Sequence, residues 1–169
     1  MFFVLSGVGA LLPSKFSVES VAEIDAEPED VYVYLSDLRE FQIWSPWAGD
    51  VGEQDYIVGG SEKGIGQESA WRCADKSCIS GTQKIIAAEA PEFVQTDLTL
   101  EGEVMKVVYA ITPSEDGGSV TILMKVDRTL GGFPFIQRFL KSTKSNSMAR
   151  RYDAALARLK IQVESDIAR

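Results

Sequence analysis

Arg128 carries the most distinctive candidate chemistry in the chain. It continues the phase of Val120, Ile122, Met124 and Val126, so an alternating strand turns it toward the same face as those apolar residues. There its fork of donors would anchor the carboxylate or phosphate head group of an amphipathic ligand. The competing reading is an ion pair at the rim of that face with one of the 25 acidic residues. Tyr109 shares a face with Met105, Val107 and Ile111, and its hydroxyl either enters a cavity or meets a backbone partner. Trp71, in phase with Ser69 and Cys73, either lines a cavity or packs in the core. Met105, Met124 and Met148 supply an adaptable apolar wall or fill ordinary core gaps. Trp44 reads as packing, and Trp47 as packing or as part of a cavity mouth. If the protein is an enzyme, Tyr109, Arg128, Glu68 and Asp97 are its available acids and bases, and they form no recognisable constellation.

Other chemistry is excluded by what the chain lacks. Its 169 residues contain no histidine, which removes Ser-His-Asp and Cys-His arrangements and histidine-bearing zinc sites. The glycines at 59–60 and 64–66 are isolated and form no phosphate-binding loop. Cys73 and Cys78 are too far apart for a redox or zinc CxxC pair. No cofactor and no metal is implied. Bracketing a short polar run, the two cysteines have the spacing of a hairpin loop, where a disulfide is geometrically possible. A bridge would fit an oxidising compartment, whereas in a reducing one the pair would be two small apolar side chains. The formal charge of −8 disfavours a phosphate-neutralising nucleic-acid binder.

These residues must be positioned by a single domain, since the length is that of one fold. Residues 16–24 alternate with period two, as a half-buried strand does. Pro28, with acids around it, starts a helix carrying Val31, Tyr34, Leu35 and Leu38 inward, and Phe41–Trp47 adds a brief second helical turn that Pro46 ends. Six further strands follow, at Asp55–Val58, Gln67–Cys73, Ile79–Ala88, Glu92–Leu100, Val104–Thr112 and Ser119–Leu130. Their turns fall at Gly59-Gly60, the cysteine loop, Ala90-Pro91, Glu101-Gly102 and Asp116-Gly117-Gly118, and spacers this short make the later strands antiparallel neighbours. After Gly131-Gly132 the period becomes helical. Phe135, Ile136, Phe139 and Leu140 make one patch, and Met148, Tyr152, Ala155, Leu156, Leu159 and Val163 a longer stripe. Between the two, residues 141–147 are polar on all sides, so the helix either breaks there or starts again.

Residues 1–14 form an apolar N-terminal arm, and 15–169 the domain. Residues 1–13 are uncharged and shorter than the roughly 20 residues that span a bilayer. They are either a remnant of a membrane anchor or an arm packed on the domain.

The segment SVESVAEIDAEPEDVYVYLSDLREFQIWSPW resembles the start of START-like helix-grip domains, particularly the polyketide cyclase/dehydrase-like (SRPBCC) branch. Gly66-Gln67 ahead of Trp71 and the tail Ala154–Lys160 resemble it too, so the likeness covers residues 16 to about 164. It implies an α+β helix-grip fold: a bent antiparallel sheet of about seven strands, in the order β-α-α-β6-α, wrapped around a long C-terminal helix. A bent sheet cannot touch a straight helix everywhere, so large side chains or a ligand must fill the gap. The resemblance also places Leu12-Pro13-Ser14 where members of this branch end an N-terminal anchor. The domain is then either presented from a membrane or cytoplasmic.

Three functions are compatible with this reading. The first is binding of a hydrophobic or amphipathic small molecule between sheet and C-terminal helix, with Trp47, Trp71, Met105, Tyr109, Met124 and Arg128 lining the site. The second is a cyclase- or hydratase-type enzyme acting on such a ligand. The third is a partner-binding, co-chaperone-like domain that works through its surface. A resemblance at the level of fold does not choose among the three.

Overall fold

The computed structural model describes residues 15–48, 55–73, 79–129 and 134–169, and excludes the side chains of 15, 16, 128, 129 and 134–147. The arm of residues 1–14 and Cys78 therefore lie outside the described residues. Alternation in KFSVESVAEI forms strand β1 (Lys15–Ile24), with Val18, Ser20 and Ile24 buried. Helix α1 (Pro28–Leu35) begins with proline and carries Glu29 and Asp30 in its first turn, where acids favour the positive end of the helix dipole. The second helix, α2 (Phe41–Trp44), is a single turn. Six strands follow, β2 (Tyr56–Gly60), β3 (Gln67–Trp71), β4 (Gly81–Glu89), β5 (Phe93–Leu100), β6 (Glu103–Pro113) and β7 (Val120–Thr129), and the chain closes with α3 (Pro134–Ile167).

The strands form one antiparallel sheet in the order β1-β7-β6-β5-β4-β3-β2. The first strand pairs with the last, so α1 and α2 carry the chain from one edge of the sheet to the other. Burial alternates along the strands with period two: Gln67, Ser69 and Trp71 on β3, and Val94, Thr96, Leu98 and Leu100 on β5, all face the core. The β4–β5 ladder shifts register between Ile85 and Ala87, the kind of bulge that bends a strand. Tyr152, Ala155, Leu156, Leu159 and Val163 bring the expected stripe of α3 onto this face. The fold is the α+β helix grip that the resemblance implies.

Three local expectations are corrected. Helix α3 runs unbroken through residues 141–147, because nothing between Pro134 and Ile167 is a proline or glycine that would interrupt it. The β2–β3 turn is not Gly59-Gly60. Both glycines stay in the ladder and Gly60 pairs with Gln67, so residues 61–66 make the connection. The strands flanking the cysteines stop earlier than expected, at the pair Trp71 and Gly81, which puts Cys73 in the longer connection rather than on a ladder. Its backbone N–H donates to Ser80 Oγ at 3.0 Å.

Candidate functional site

The concave face is lined in its middle by aromatic rings. Phe41 and Trp44 from α2 lie 5.8 and 5.7 Å from the Tyr109 ring, both edge-on, and 4.5 Å from each other. Beside them Trp47 and Tyr56 flank Trp71 in a stack, at 6.0 and 6.4 Å. Arg151 of α3 lies over the Trp47 ring, 5.6 Å from its centroid, a cation–π geometry. Two polar handles pin the stack: Trp71 Nε1 donates to Ile79 O at 2.7 Å and Tyr56 OH to Leu38 O at 2.8 Å.

Within this apolar surround sits a group of polar side chains. Gln83 Nε2 donates to Thr96 Oγ1 at 2.8 Å and to Tyr109 OH at 3.4 Å. Ser69 stands opposite Gln83 across the β3–β4 ladder. Ser69 is 3% exposed and Tyr152 1% exposed, and the Tyr152 hydroxyl has no hydrogen-bond partner among the described residues. Burial pushes the phenols of Tyr56 and Tyr152 up to about 12, with a smaller lowering of Tyr56 by the nearby Ser69. Tyr109 is raised further, chiefly by its complete burial, against a lowering by its hydrogen bond with Gln83. These phenols stay protonated at neutral pH and can act as hydrogen-bond donors.

A second polar group ties the α1–α2 turn to the β2–β3 connection. Gln67 accepts from the Leu38 backbone N–H at 2.7 Å and donates to Asp37 Oδ1 at 3.0 Å and to Glu62 O at 3.0 Å. Burial works to raise Asp37, but the Arg39 side chain and backbone N–H, with Gln67, outweigh it and hold its carboxyl down at about 2.

Of the residues expected at the site, Trp47, Trp71, Met105, Tyr109 and Met124 are all buried on this face and belong to one core cluster. Tyr109 and Met124 are direct cross-strand partners. Arg128 holds its expected place in the β7 ladder opposite Phe16, and its side chain lies outside the described residues. Glu68 and Asp97 point away from the face because their strand neighbours Gln67, Ser69, Thr96 and Leu98 point into it. On the outside Glu68 pairs with Lys84 and Asp97 with Lys106. Ser69, Gln83, Thr96 and Tyr152 were not among the expected site residues. Their strand and helix phase carried the signal, since each falls on an inward position of an otherwise apolar stripe.

The hollow expected between sheet and helix is filled over the described length of α3. Phe41, Trp44, Tyr109, Met124, Tyr152 and Leu156 are each at most 1% exposed and close the gap themselves. Two recesses lie elsewhere. One, of about 600 Å³, is on the outer face at the ends of β2–β5, among Ile57, Ala70, Arg72, Thr82 and Thr99. The other, of about 290 Å³, lies between α1 and the end of α3, among Val33, Tyr34, Val163, Asp166 and Ile167. Among the described residues no cluster of potential ligands could hold a metal ion, and no helix is long and apolar enough to cross a membrane.

Residues 15–164 match the family described as polyketide cyclase / dehydrase and lipid transport. No curated protein matches the chain. Among solved structures it is similar to TTHA0849 from Thermus thermophilus, at 16% identity over 89% of this chain and 99% of that one, with a TM-score of 0.67. It is similar to the KanY protein at 22% identity over 89% and 98%, with a TM-score of 0.64. A third likeness is to a point mutant of norcoclaurine synthase from Thalictrum flavum in complex with a transition state analogue, 12% identical over 84% and 93%, with a TM-score of 0.60. At these identities the likeness is one of fold.

Proposed function

The chain belongs to the polyketide cyclase / dehydrase and lipid transport family, and from that premise we propose that it binds a hydrophobic or amphipathic small molecule between the concave face of the sheet and α3. The observation that carries this reading is the polar group set inside the aromatic surround. Burying a hydroxyl without a partner destabilises a fold by about 1–3 kcal/mol, and a core selected only for packing would hold an apolar residue at Tyr152. A ligand that brings a polar group to that point offsets the loss. Apolar surface removed from water supplies the remaining drive. Because the described interior is filled, the ligand takes its place by displacing side chains. Arg128, in phase with this face, is the proposed anchor for an anionic head group at its far end. Presentation from a membrane through residues 1–14 belongs to the same reading.

A second reading has its own support. The filled interior favours a partner-binding domain that acts through its surface. An enzyme of the cyclase or hydratase kind has less to stand on, since Glu68 and Asp97 face outward. Native mass spectrometry of protein purified from its own host, followed by lipid extraction, separates the first two. A stoichiometric co-purifying amphiphile is the expected result, and repeated recovery of the bare chain transfers the weight to the surface reading.

A further inference from the structure

We propose that the outer edge of β2 is a self-association surface, where the β2 strands of two copies of this chain pair antiparallel about Val58 and join their sheets. The pairing is independent of the ligand-binding reading above.

The free backbone groups follow from the β2–β3 ladder. Arg72 N–H donates to Asp55 O at 3.0 Å and Ser61 N–H to Gly66 O at 3.2 Å, at the two ends of the pairing. Alternation between those ends turns the backbone of Ile57 and Gly59 toward β3 and that of Tyr56, Val58 and Gly60 away from it. Each of the latter three presents one N–H and one C=O, and none of these groups has a partner among the described residues. The opposite edge of the sheet is guarded. On β1 the Glu23 carbonyl accepts from Lys160, and Glu19 and Glu23 place charge along the strand. Strand β2 reads Tyr-Ile-Val-Gly-Gly, with neither charge nor proline to discourage pairing, and its Ile57 is 68% exposed.

A second copy fits this edge in one register. The outward groups lie symmetrically about Val58, so a two-fold axis there sets Tyr56 against the partner's Gly60 and Val58 against the partner's Val58. Every outward N–H then meets a C=O, two hydrogen bonds for each of the three pairs. The side chains suit the same register. Ile57 falls opposite the partner's Gly59, and a Cβ at Gly59 would meet nothing within 4 Å, so the isoleucine has open space to fill. Tyr56 likewise meets a glycine. No like charges oppose each other despite the net −8, since Asp55 falls opposite the partner's Ser61, and Glu68, beside Gly59 on β3, is already paired with Lys84. Bulky residues followed by glycines complement their own order reversed, which a foreign strand need not do. Five residues a side make an interface below the roughly 1,200 Å² of a stable one, so the pair is weak, with a dissociation constant on the order of 100 μM.

Sedimentation equilibrium of the full chain from about 5 μM to about 1 mM, with amide exchange followed by NMR, tests the pairing. The mean mass is expected to rise from one copy to two and no further, because a two-fold contact closes on itself. The amides of Tyr56, Val58 and Gly60 should gain protection as concentration rises, whereas those of Ile57 and Gly59, bonded to β3, are protected throughout. Val58→Pro removes the central N–H without costing a β3 bond, and Ile57→Lys sets two like charges on diagonal positions of one face. Each should weaken association about tenfold or more while holding the melting temperature within a few degrees. Should the proline disturb the monomer, the lysine variant alone carries the comparison. A single copy up to the highest concentration, a mass climbing past two, or association that Ile57→Lys leaves unchanged overturns the proposal. Protection of the same three amides by an added peptide of unrelated sequence, under conditions where the chain stays single, gives the edge to a foreign strand and overturns it too. All of these results leave the ligand-binding reading in place.

Discussion

The Trp47 and Trp71 rings stack with centroids 6.0 Å apart and planes inclined by 22°, joining the turn after α2 to the end of β3. This contact ties the chain that crosses from one sheet edge to the other onto β3, the neighbour of the edge strand it reaches. It depends on a residue with no side chain. At Gly81, the cross-strand partner of Trp71, a Cβ would lie 2.7 Å from Trp71 Cζ2, 2.6 Å from Leu100 Cδ2 and 2.7 Å from the Thr99 carbonyl oxygen.

Gly81→Ala is therefore expected to push Trp71 out of its stack and to lower stability by about 1–3 kcal/mol, as overpacking does. Urea unfolding followed by tryptophan fluorescence measures both effects. A variant with wild-type stability and an unchanged emission spectrum would show that the Trp71 ring moves aside freely.

Asp37 gives a prediction in pH. Its carboxyl is held at about 2 in the fold, below the ordinary value of 3.8, because Arg39 and Gln67 outweigh the effect of burial. A depressed carboxyl stabilises the fold above the unfolded pKa and loses that contribution as pH falls through the folded one. The stability difference between wild type and Asp37→Asn should accordingly be constant above about pH 4 and shrink between pH 4 and 2. Arg39 is 54% exposed, so screening reduces the linked part to about 1 kcal/mol. Chemical denaturation across pH 2–6 checks it, and a difference that does not change over that range removes Asp37 as the source.

Arg128→Ala should abolish binding of a long-chain fatty acid such as oleate, read by displacement of a fluorescent probe. Affinity within about twofold of wild type would leave the residue with its alternative role, an ion pair at the rim.

A thiol count on protein kept from reductants tests the Cys73–Cys78 bridge. No reactive thiol in denaturant before reduction and two afterwards is the expected result. Two thiols beforehand would make the pair a reduced one.

The fold was legible because its signals are periodic. Alternation in β1 and in β5–β7, the proline start of α1 and the stripe from Met148 to Val163 all fall where the sequence places them. Turns were legible where glycine or proline had no other use, as at Glu101-Gly102, where both residues have positive φ. Gly59-Gly60 misled because glycine is also tolerated in an edge ladder. The polar run at 141–147 suggested a break, but polarity alone does not interrupt a helix that lacks glycine and proline. At the site, phase alone put Trp71, Met105, Tyr109 and Met124 on one face. Gln83, Thr96 and Tyr152 were overlooked since a polar residue in an apolar stripe has no meaning until its neighbours across the sheet are known.

Helix α3 is fastened along its C-terminal half. Asp153 accepts from the Ser20 hydroxyl, Glu164 from the Asp25 backbone N–H at 3.0 Å, and Asp166 from the Tyr34 hydroxyl, while Lys160 donates to Glu23 O at 2.8 Å. A guest squeezing in along that seam would have to undo several bonds in succession. If a ligand enters as proposed, its way in accordingly lies away from β1, and this half of the helix is the part that stays in place while the rest gives.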